Sequence, residues 1–321
     1  MQANRPRTIR YRSAQSARRP LARLVPAVVC ALGIFTASAG TAAGGTIFIT
    51  DYSVGTVDSI TQPGGVSTFA TGLTLPQAIV AGRDGNLYVA CQASSGPATV
   101  CKVTPAGVVS TIATGFTDPT AIAQNASGNL FVSFEADDII GEVQSNGTIS
   151  TFATLPGEPE GLVFNGSGDL FAATLEDDIY EISPSGQVSL FAADVLRNAY
   201  AAGLAMDSQG NLYMSNDLGT IDKIAPSGSA SVYAINVGQA LNLAFDNEGD
   251  LWAASVGEVV SISPSLSITK YTSGIHVASG VTFAVPEPNG VVLFSIGAAV
   301  LCSAVRIRRA SKAATSRSMN R

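Results

Sequence analysis

Two short acidic stretches, Glu135-Ala136-Asp137-Asp138 and Glu176-Asp177-Asp178, are the residues of this chain most readily read as chemistry. Carboxylates set so close together suit a hard divalent cation such as Ca²⁺, which is held by oxygen ligands alone. Neither stretch has the spacing of an EF-hand loop. The turns Asp207-Ser208-Gln209-Gly210 and Asp246-Asn247-Glu248-Gly249 have a similar look, but Asp and Gly there are what a tight hairpin needs. Acid–base chemistry is thinly supplied. His276 is the only histidine, so a His-ligated zinc cluster is excluded and a Ser–His–Asp arrangement has one base to draw on. With no motif around it, His276 reads as a loop residue. No glycine-rich phosphate loop is present. Cys91 and Cys101 fall at the end of one expected strand and the start of the next. In an oxidising compartment they would form a cross-strand disulfide, two buried thiols being the alternative.

The elements that must carry these residues are repeats. Gly210-Asn211-Leu212-Tyr213-Met214 has close relatives in Gly85-Asn86-Leu87-Tyr88-Val89, Gly128-Asn129-Leu130-Phe131-Val132, Gly168-Asp169-Leu170-Phe171-Ala172 and Gly249-Asp250-Leu251-Trp252-Ala253, with Gly45-Thr46-Ile47-Phe48-Ile49 a worn member. Their spacing is close to forty residues. Units of that length, built from short apolar runs and Gly/Pro/Ser turns, read as β-propeller blades. One unit runs as an apolar strand (202–207), a tight Asp-Gly turn, a second strand (211–215), a third (221–225), a Pro-Ser-Gly turn and a fourth (230–235). Helical periodicity is absent throughout.

Innermost strands are expected to begin near Gln77, Thr120, Glu160, Ala202, Leu241 and Gly280, which makes six blades over 45–285. The chain enters at a second strand and leaves on an inner one. The strand at 280–285 must therefore pair with 45–50 and close the ring, leaving only short outer edges. The fold class is an all-β, six-bladed propeller with four-stranded antiparallel blades.

Both ends lie outside the ring. A basic leader (Arg5 to Arg23) and an apolar run (Leu24 to Phe35) precede small residues, and 1–43 reads as a secretory signal peptide. At the other end Pro286-Glu287-Pro288 precedes an apolar segment at about 290–305, then Arg306, Arg308 and Arg309. That segment is a short membrane anchor whose arginines would snorkel on the cytoplasmic side. The order of these three parts closely resembles the PEP-CTERM sorting signal of Gram-negative bacteria. The resemblance implies an exosortase, a transpeptidase-like membrane enzyme, as partner. It also implies transient inner-membrane anchoring and a final place in the envelope or extracellular polysaccharide matrix. The charge agrees: all 24 acidic residues lie between Asp51 and Glu287 with five basic ones, so this part carries 5 minus 24, or −19, while the ends are basic. So acidic a domain will not bind nucleic acid through its phosphates.

The segment AGLAMDSQGNLYMSNDLGTIDKI (202–224) is similar to the NHL repeat and to the gluconolactonase (senescence marker) and streptogramin-lyase propellers. The likeness rests on scaffold residues across all six blades. It implies a site at the axis, on the face bearing the loops between second and third strands, where Asp51, Gln92, Glu135, Glu176, Asn216 and Asp217 fall. In the gluconolactonase group a divalent metal sits there, and Glu160, Asp217 and Asn242 are the positions that would hold it. The match is partial: Leu-Ala-Phe follows Asn242 where that group has Gly-Leu, and its first acidic motif is missing. The streptogramin lyases would require a histidine with a glutamate and a metal. Two functions follow: a binding or scaffold module of envelope or exopolysaccharide matrix, or a metal-dependent lactone hydrolase.

Overall fold

A computed structural model of the chain describes residues 46–284, apart from 62–64, 196–199 and 273. These lie within the compact unit Ala42–Arg321. The leader, the Pro286-Glu287-Pro288 motif and the apolar tail lie outside the described residues. Among the described residues no helix is long and apolar enough to cross a membrane.

Six antiparallel sheets of four strands make six blades. Blade 1 combines β1 (Ile47–Asp51), β2 (Thr56–Thr61) and β3 (Gly65–Thr71) with the last strand, β24 (Ala278–Phe283). Blade 2 is β4 (Pro76–Ala81), β5 (Leu87–Cys91), β6 (Ala98–Val103) and β7 (Val109–Gly115). Blade 3 is β8 (Pro119–Gln124), β9 (Leu130–Phe134), β10 (Ile139–Val143) and β11 (Ile149–Thr154). Blade 4 is β12 (Pro159–Phe164), β13 (Leu170–Thr174), β14 (Ile179–Ile182) and β15 (Val188–Ala192). Blade 5 is β16 (Ala201–Met206), β17 (Leu212–Asn216), β18 (Thr220–Ile224) and β19 (Ala230–Ile235). Blade 6 is β20 (Ala240–Phe245), β21 (Leu251–Ser255), β22 (Glu258–Ile262) and β23 (Ile268–Tyr271). Ring closure occurs where expected: Ile47 faces Phe283, Ile49 faces Val281 and Thr50 faces Gly280.

The repeated sequence is explained by packing between blades. Every residue of β1, β5, β9, β13, β17 and β21 is buried, because each second strand is covered by a blade on either side. The inner strands are less uniformly buried, since one edge of each faces the axis. The aromatic after Gly-Asn-Leu sits at each junction. Phe131 packs against Phe152 of its own blade and Phe164 of the next, at 4.8 and 5.2 Å. Tyr213 does the same with Tyr233 and Phe245, and Trp252 with Tyr271 and, across the closure, Phe283.

The turn aspartates serve this packing. Asp207 Oδ1 accepts from the backbone N–H of Gln209 and Asn211, while Oδ2 accepts from Tyr213 OH. Asp84 takes the hydroxyl of Tyr88, and Asp246 the indole N–H of Trp252. Hairpin chemistry accounts for these residues without a cation.

Candidate functional site at the axial mouth

Each inner strand opens with a break in register before it settles into pairing. The bulged residues are Gln77, Thr120, Glu160, Ala202, Leu241 and Ser279, one per blade, at the loop-bearing end of the axis. A bulge frees backbone groups that need other partners. Hydroxyls supply them at alternate joints. Ser279 Oγ donates to Pro76 O at 2.6 Å, Thr120 Oγ1 to Pro159 O at 2.7 Å, and Ser215 Oγ to Ala240 O at 2.8 Å. The next residue in each strand is Ala78, Ala121, Gly161, Gly203, Asn242 or Gly280; all but Asn242 are small, because neighbouring inner strands nearly touch. A Cβ on Gly203 would lie 2.7 Å from Asn242 Cα.

With Thr120 and Ser279 committed to the scaffold, Gln77 and Glu160 are the polar groups the ring presents to a ligand. Gln77 Nε2 reaches Gln92 Oε1 at 3.5 Å, Tyr52 OH donates to the same oxygen at 3.2 Å, and Gln92 Nε2 donates to Asp118. This network crosses blades 1 to 3. The Glu160 carboxylate, enclosed on nearly every side yet open to the channel, has no hydrogen-bond partner among the described residues. Burial, then the charges of Glu135, Glu158 and Glu176, push its pKa well above the usual carboxylate range. Glu135 is raised by burial and by Glu158 and Asp118; Glu158 by burial and by Glu176 and Asp138. Glu176 comes so close over the connector before β12 that a Cβ on Gly157 would lie 2.1 Å from its Oε2. The mouth therefore gathers carboxylates over blades 3 and 4 that have no basic partner among the described residues.

Two of the three expected metal positions each accept a backbone N–H. Asn242 Oδ1 accepts from Val281 N at 3.2 Å and joins blade 6 to β24, while Asp217 Oδ1 accepts from Tyr200 N at 3.1 Å and pins the connector into blade 5. Glu160 alone of the three has its oxygens free of such a bond. In the two acidic loops several carboxylates already have protein partners. Asp137 Oδ2 accepts from Thr117, Asp138 takes a left-handed turn conformation, and Asp178 accepts from Tyr180 OH and Asp194 N. Glu135 and Glu176 point into the mouth's mutual repulsion, and Asp177 is buried at positive φ. Among the described residues no group of three or more His, Cys, Asp or Glu side chains is placed to hold a metal ion.

The disulfide is corrected. Cys91 and Cys101 are free buried thiols. Cys91 faces Thr99 and Cys101 faces Val89, so the two are diagonal rather than opposed across β5 and β6. The nearness of the two thiols, with burial, pushes Cys91 up, while that nearness and the hydroxyls of Thr111 and Thr99 draw Cys101 down.

His276 lies at the ring's seam, away from the axis. Its backbone N–H and Nδ1 both meet Asp51 Oδ2, at 3.1 and 3.0 Å. Asp51 is 1 % exposed; burial opposes its charge, but bonds from Ser53 and His276 outweigh that and lower its pKa. Sequence reasoning missed this clasp and the Tyr52–Gln92–Asp118 network, since both join residues from different blades. Gln77 was legible: Pro76-Gln77, Pro119-Thr120 and Pro159-Glu160 repeat one dipeptide pattern.

Residues 74–295 match the model of the virginiamycin B lyase family, about two thirds of the chain. The chain belongs to the virginiamycin B lyase family. Solved structures agree on the fold. Virginiamycin B lyase from Staphylococcus aureus is 17% identical, with 75% of this chain and 86% of that one covered and a TM-score of 0.55. A catalytically inactive form of that enzyme, solved with quinupristin, is 16% identical, with 72% and 85% covered and a TM-score of 0.54. A gluconolactonase from Xanthomonas campestris is 15% identical, with 76% and 91% covered and a TM-score of 0.59. No curated protein matches the chain. Within the virginiamycin B lyase family, then, this member presents at its axis one enclosed glutamate, a glutamine network and no histidine.

Proposed function

We propose that this member of the virginiamycin B lyase family is an exported binding or scaffold module of the cell envelope or exopolysaccharide matrix, and that it binds through its loop-bearing axial mouth. The observation that carries the reading is the composition of the bulge ring. It offers hydrogen-bonding and charged groups in Gln77 and Glu160, while its hydroxyls are spent on backbone carbonyls and the single histidine is tied to Asp51 at the seam. Recognition needs only the former; hydrolysis also needs a placed base or a metal-held water. The Pro286-Glu287-Pro288 motif, the apolar segment and Arg306, Arg308 and Arg309 support delivery by an exosortase-type enzyme. Since β24 ends at Phe283 on the turn face, the tail would leave from the side opposite the mouth, which would then look away from the membrane.

A second reading has its own support. Relatives by fold include a gluconolactonase and a lyase acting on virginiamycin B, and Glu160 with Asn242 and Asp217 would supply the oxygen ligands of a divalent metal. In that case the metal would polarise a lactone carbonyl and activate water, while Gln77 and Gln92 would orient the substrate. Binding of an envelope or matrix glycan by residues 46–284 in the presence of a chelator tests the first reading. Retention that is lost in Gln77→Ala and Gln92→Ala supports it. Binding that appears only with added metal would favour the second.

A further inference from the structure

Between Lys102 and Arg197 the chain has thirteen carboxylates and no Lys or Arg. That interval builds blades 3 and 4, and nine of those carboxylates (Asp118, Glu135, Asp137, Asp138, Glu158, Glu160, Glu176, Asp178 and Asp194) lie in or beside the connections of the loop-bearing face. The four described basic side chains lie elsewhere. Arg83, Lys102 and Lys223 belong to the turn face, where Lys102 pairs with Asp84 and Lys223 with Asp207. Lys270 sits on outer strand β23 and pairs with Glu258 at 2.8 Å. Among the described residues no basic side chain faces the acidic half of the mouth, and burial with mutual repulsion raises the pKa of three of its glutamates.

The other half of the same face adds exposed apolar side chains between its polar ones, which include Asp217 and His276. Tyr200, Leu218, Leu241, Val256 and Val54 are exposed large side chains on the adjoining blades 5, 6 and 1, with Leu218 69% and Tyr200 53% accessible. Leu241 is the blade 6 member of the bulge ring, so the apolar arc reaches the axis beside Glu160's half. Apolar side chains gathered on one face mark an interaction site where the same residues scattered would not.

From this division, and resting on the reading of the mouth as a binding face, we infer that its partner is a basic amphipathic peptide. Lys or Arg side chains lie over the glutamates of blades 3 and 4, and large apolar side chains lie over the arc of blades 5, 6 and 1. The carboxylates are spread over two blades and several loops and do not gather around one point. They therefore suit charges spaced along a chain better than a single ion. A neutral glycan would leave their repulsion unrelieved, and a bare polycation would leave the arc uncovered. Only a ligand with both characters uses the whole face.

The six sheets are complete within 46–284, so that span is the unit to purify. Fluorescence anisotropy with a short labelled peptide of alternating Lys and Leu tests the proposal, with an all-Lys peptide and a Glu–Leu peptide of equal length as controls. The Lys–Leu peptide should bind about tenfold more tightly than either control, and weaken about tenfold on going from low to high salt. The triple variant Glu135→Gln, Glu158→Gln, Glu176→Gln and the double variant Leu218→Ser, Val256→Ser should each weaken it about tenfold, while Val108→Ser on the turn face changes nothing. Thermal melts establish that each variant is folded. Equal binding of Lys–Leu and all-Lys peptides, or binding indifferent to both sets of variants, overturns the proposal. Glycan binding at the mouth without peptide preference overturns it while leaving the binding reading intact; metal-dependent lactone hydrolysis removes the binding reading itself.

Discussion

Glu160 occupies a position where Ala202 and Leu241 show that a neutral side chain is tolerated. Its carboxyl is enclosed beside three other glutamates, so the folded state holds the proton more tightly than the unfolded chain does. No penalty exists below the ordinary glutamate range. As pH rises from that range toward the raised folded value, the unfolded state sheds its proton first and stability falls. Glu160→Gln is therefore expected to raise the melting temperature by a few degrees near neutral pH, roughly 2–4 °C for each kcal/mol recovered, and to do little at about pH 4. Asp207 has the opposite sign. Burial opposes its charge, yet bonds from Asn211, Tyr213 and Gln209 outweigh it and lower its pKa. Asp207→Ala should destabilise by about 1–3 kcal/mol above the ordinary aspartate range, the loss vanishing as pH falls through the lowered folded value. Melting curves for both variants across pH check the two signs together. The glutamate's depth and company were not legible in the sequence, because Glu135 and Glu176 reach it from other loops and only the folded ring brings them near.

Inner strands depend on two devices repeated around the axis, namely small residues where strands approach and hydroxyls where bulges free backbone groups. Ser215 illustrates both, accepting from Gly203 N at 2.9 Å and donating to Ala240 O. Ser215→Ala strands a buried N–H and a buried carbonyl, at a cost of about 1–3 kcal/mol. Gly203→Val forces a side chain against the backbone of Asn242 and should cost at least as much. Denaturant titration of the two variants separates them: the first should keep the native folding cooperativity, while the second should disturb it. At this scale the sequence was an accurate guide. The strand at 230–235 falls where the repeat placed it, because turn residues and the Gly-Asn-Leu-aromatic phrase are local signals. Inner strands begin one or two residues earlier than expected, since a bulge leaves no mark on composition. The diagonal offset of Cys91 and Cys101 was hidden for the same reason: register is a property of the pair of strands.

A ring of six blades has no free end only because β24 completes blade 1. Each hydrophobic cluster spans two neighbouring blades, and the one containing Ile49, Trp252 and Val281 joins blade 6 to blade 1 across the seam. Removing residues 278–284 should cost the protein its cooperative melt rather than lower its midpoint, since both faces of that junction become solvated. Differential scanning calorimetry of the truncated and intact propeller reads this directly. Blade number and closure were legible from spacing and from the chain's entry at a second strand. The division of the mouth into acidic and apolar halves was only half legible. The absence of basic residues from 103 to 196 stands in the sequence, but their shared face with Leu218 and Val256 needs the fold. Under the proposed function this mouth recognises rather than hydrolyses. Rates of lactone hydrolysis by the purified propeller with Ca²⁺, Zn²⁺ or Mn²⁺ test it most directly. No rate above the metal-only background is expected; metal-dependent turnover abolished by Asp217→Ala and by Asn242→Ala would contradict the proposed function.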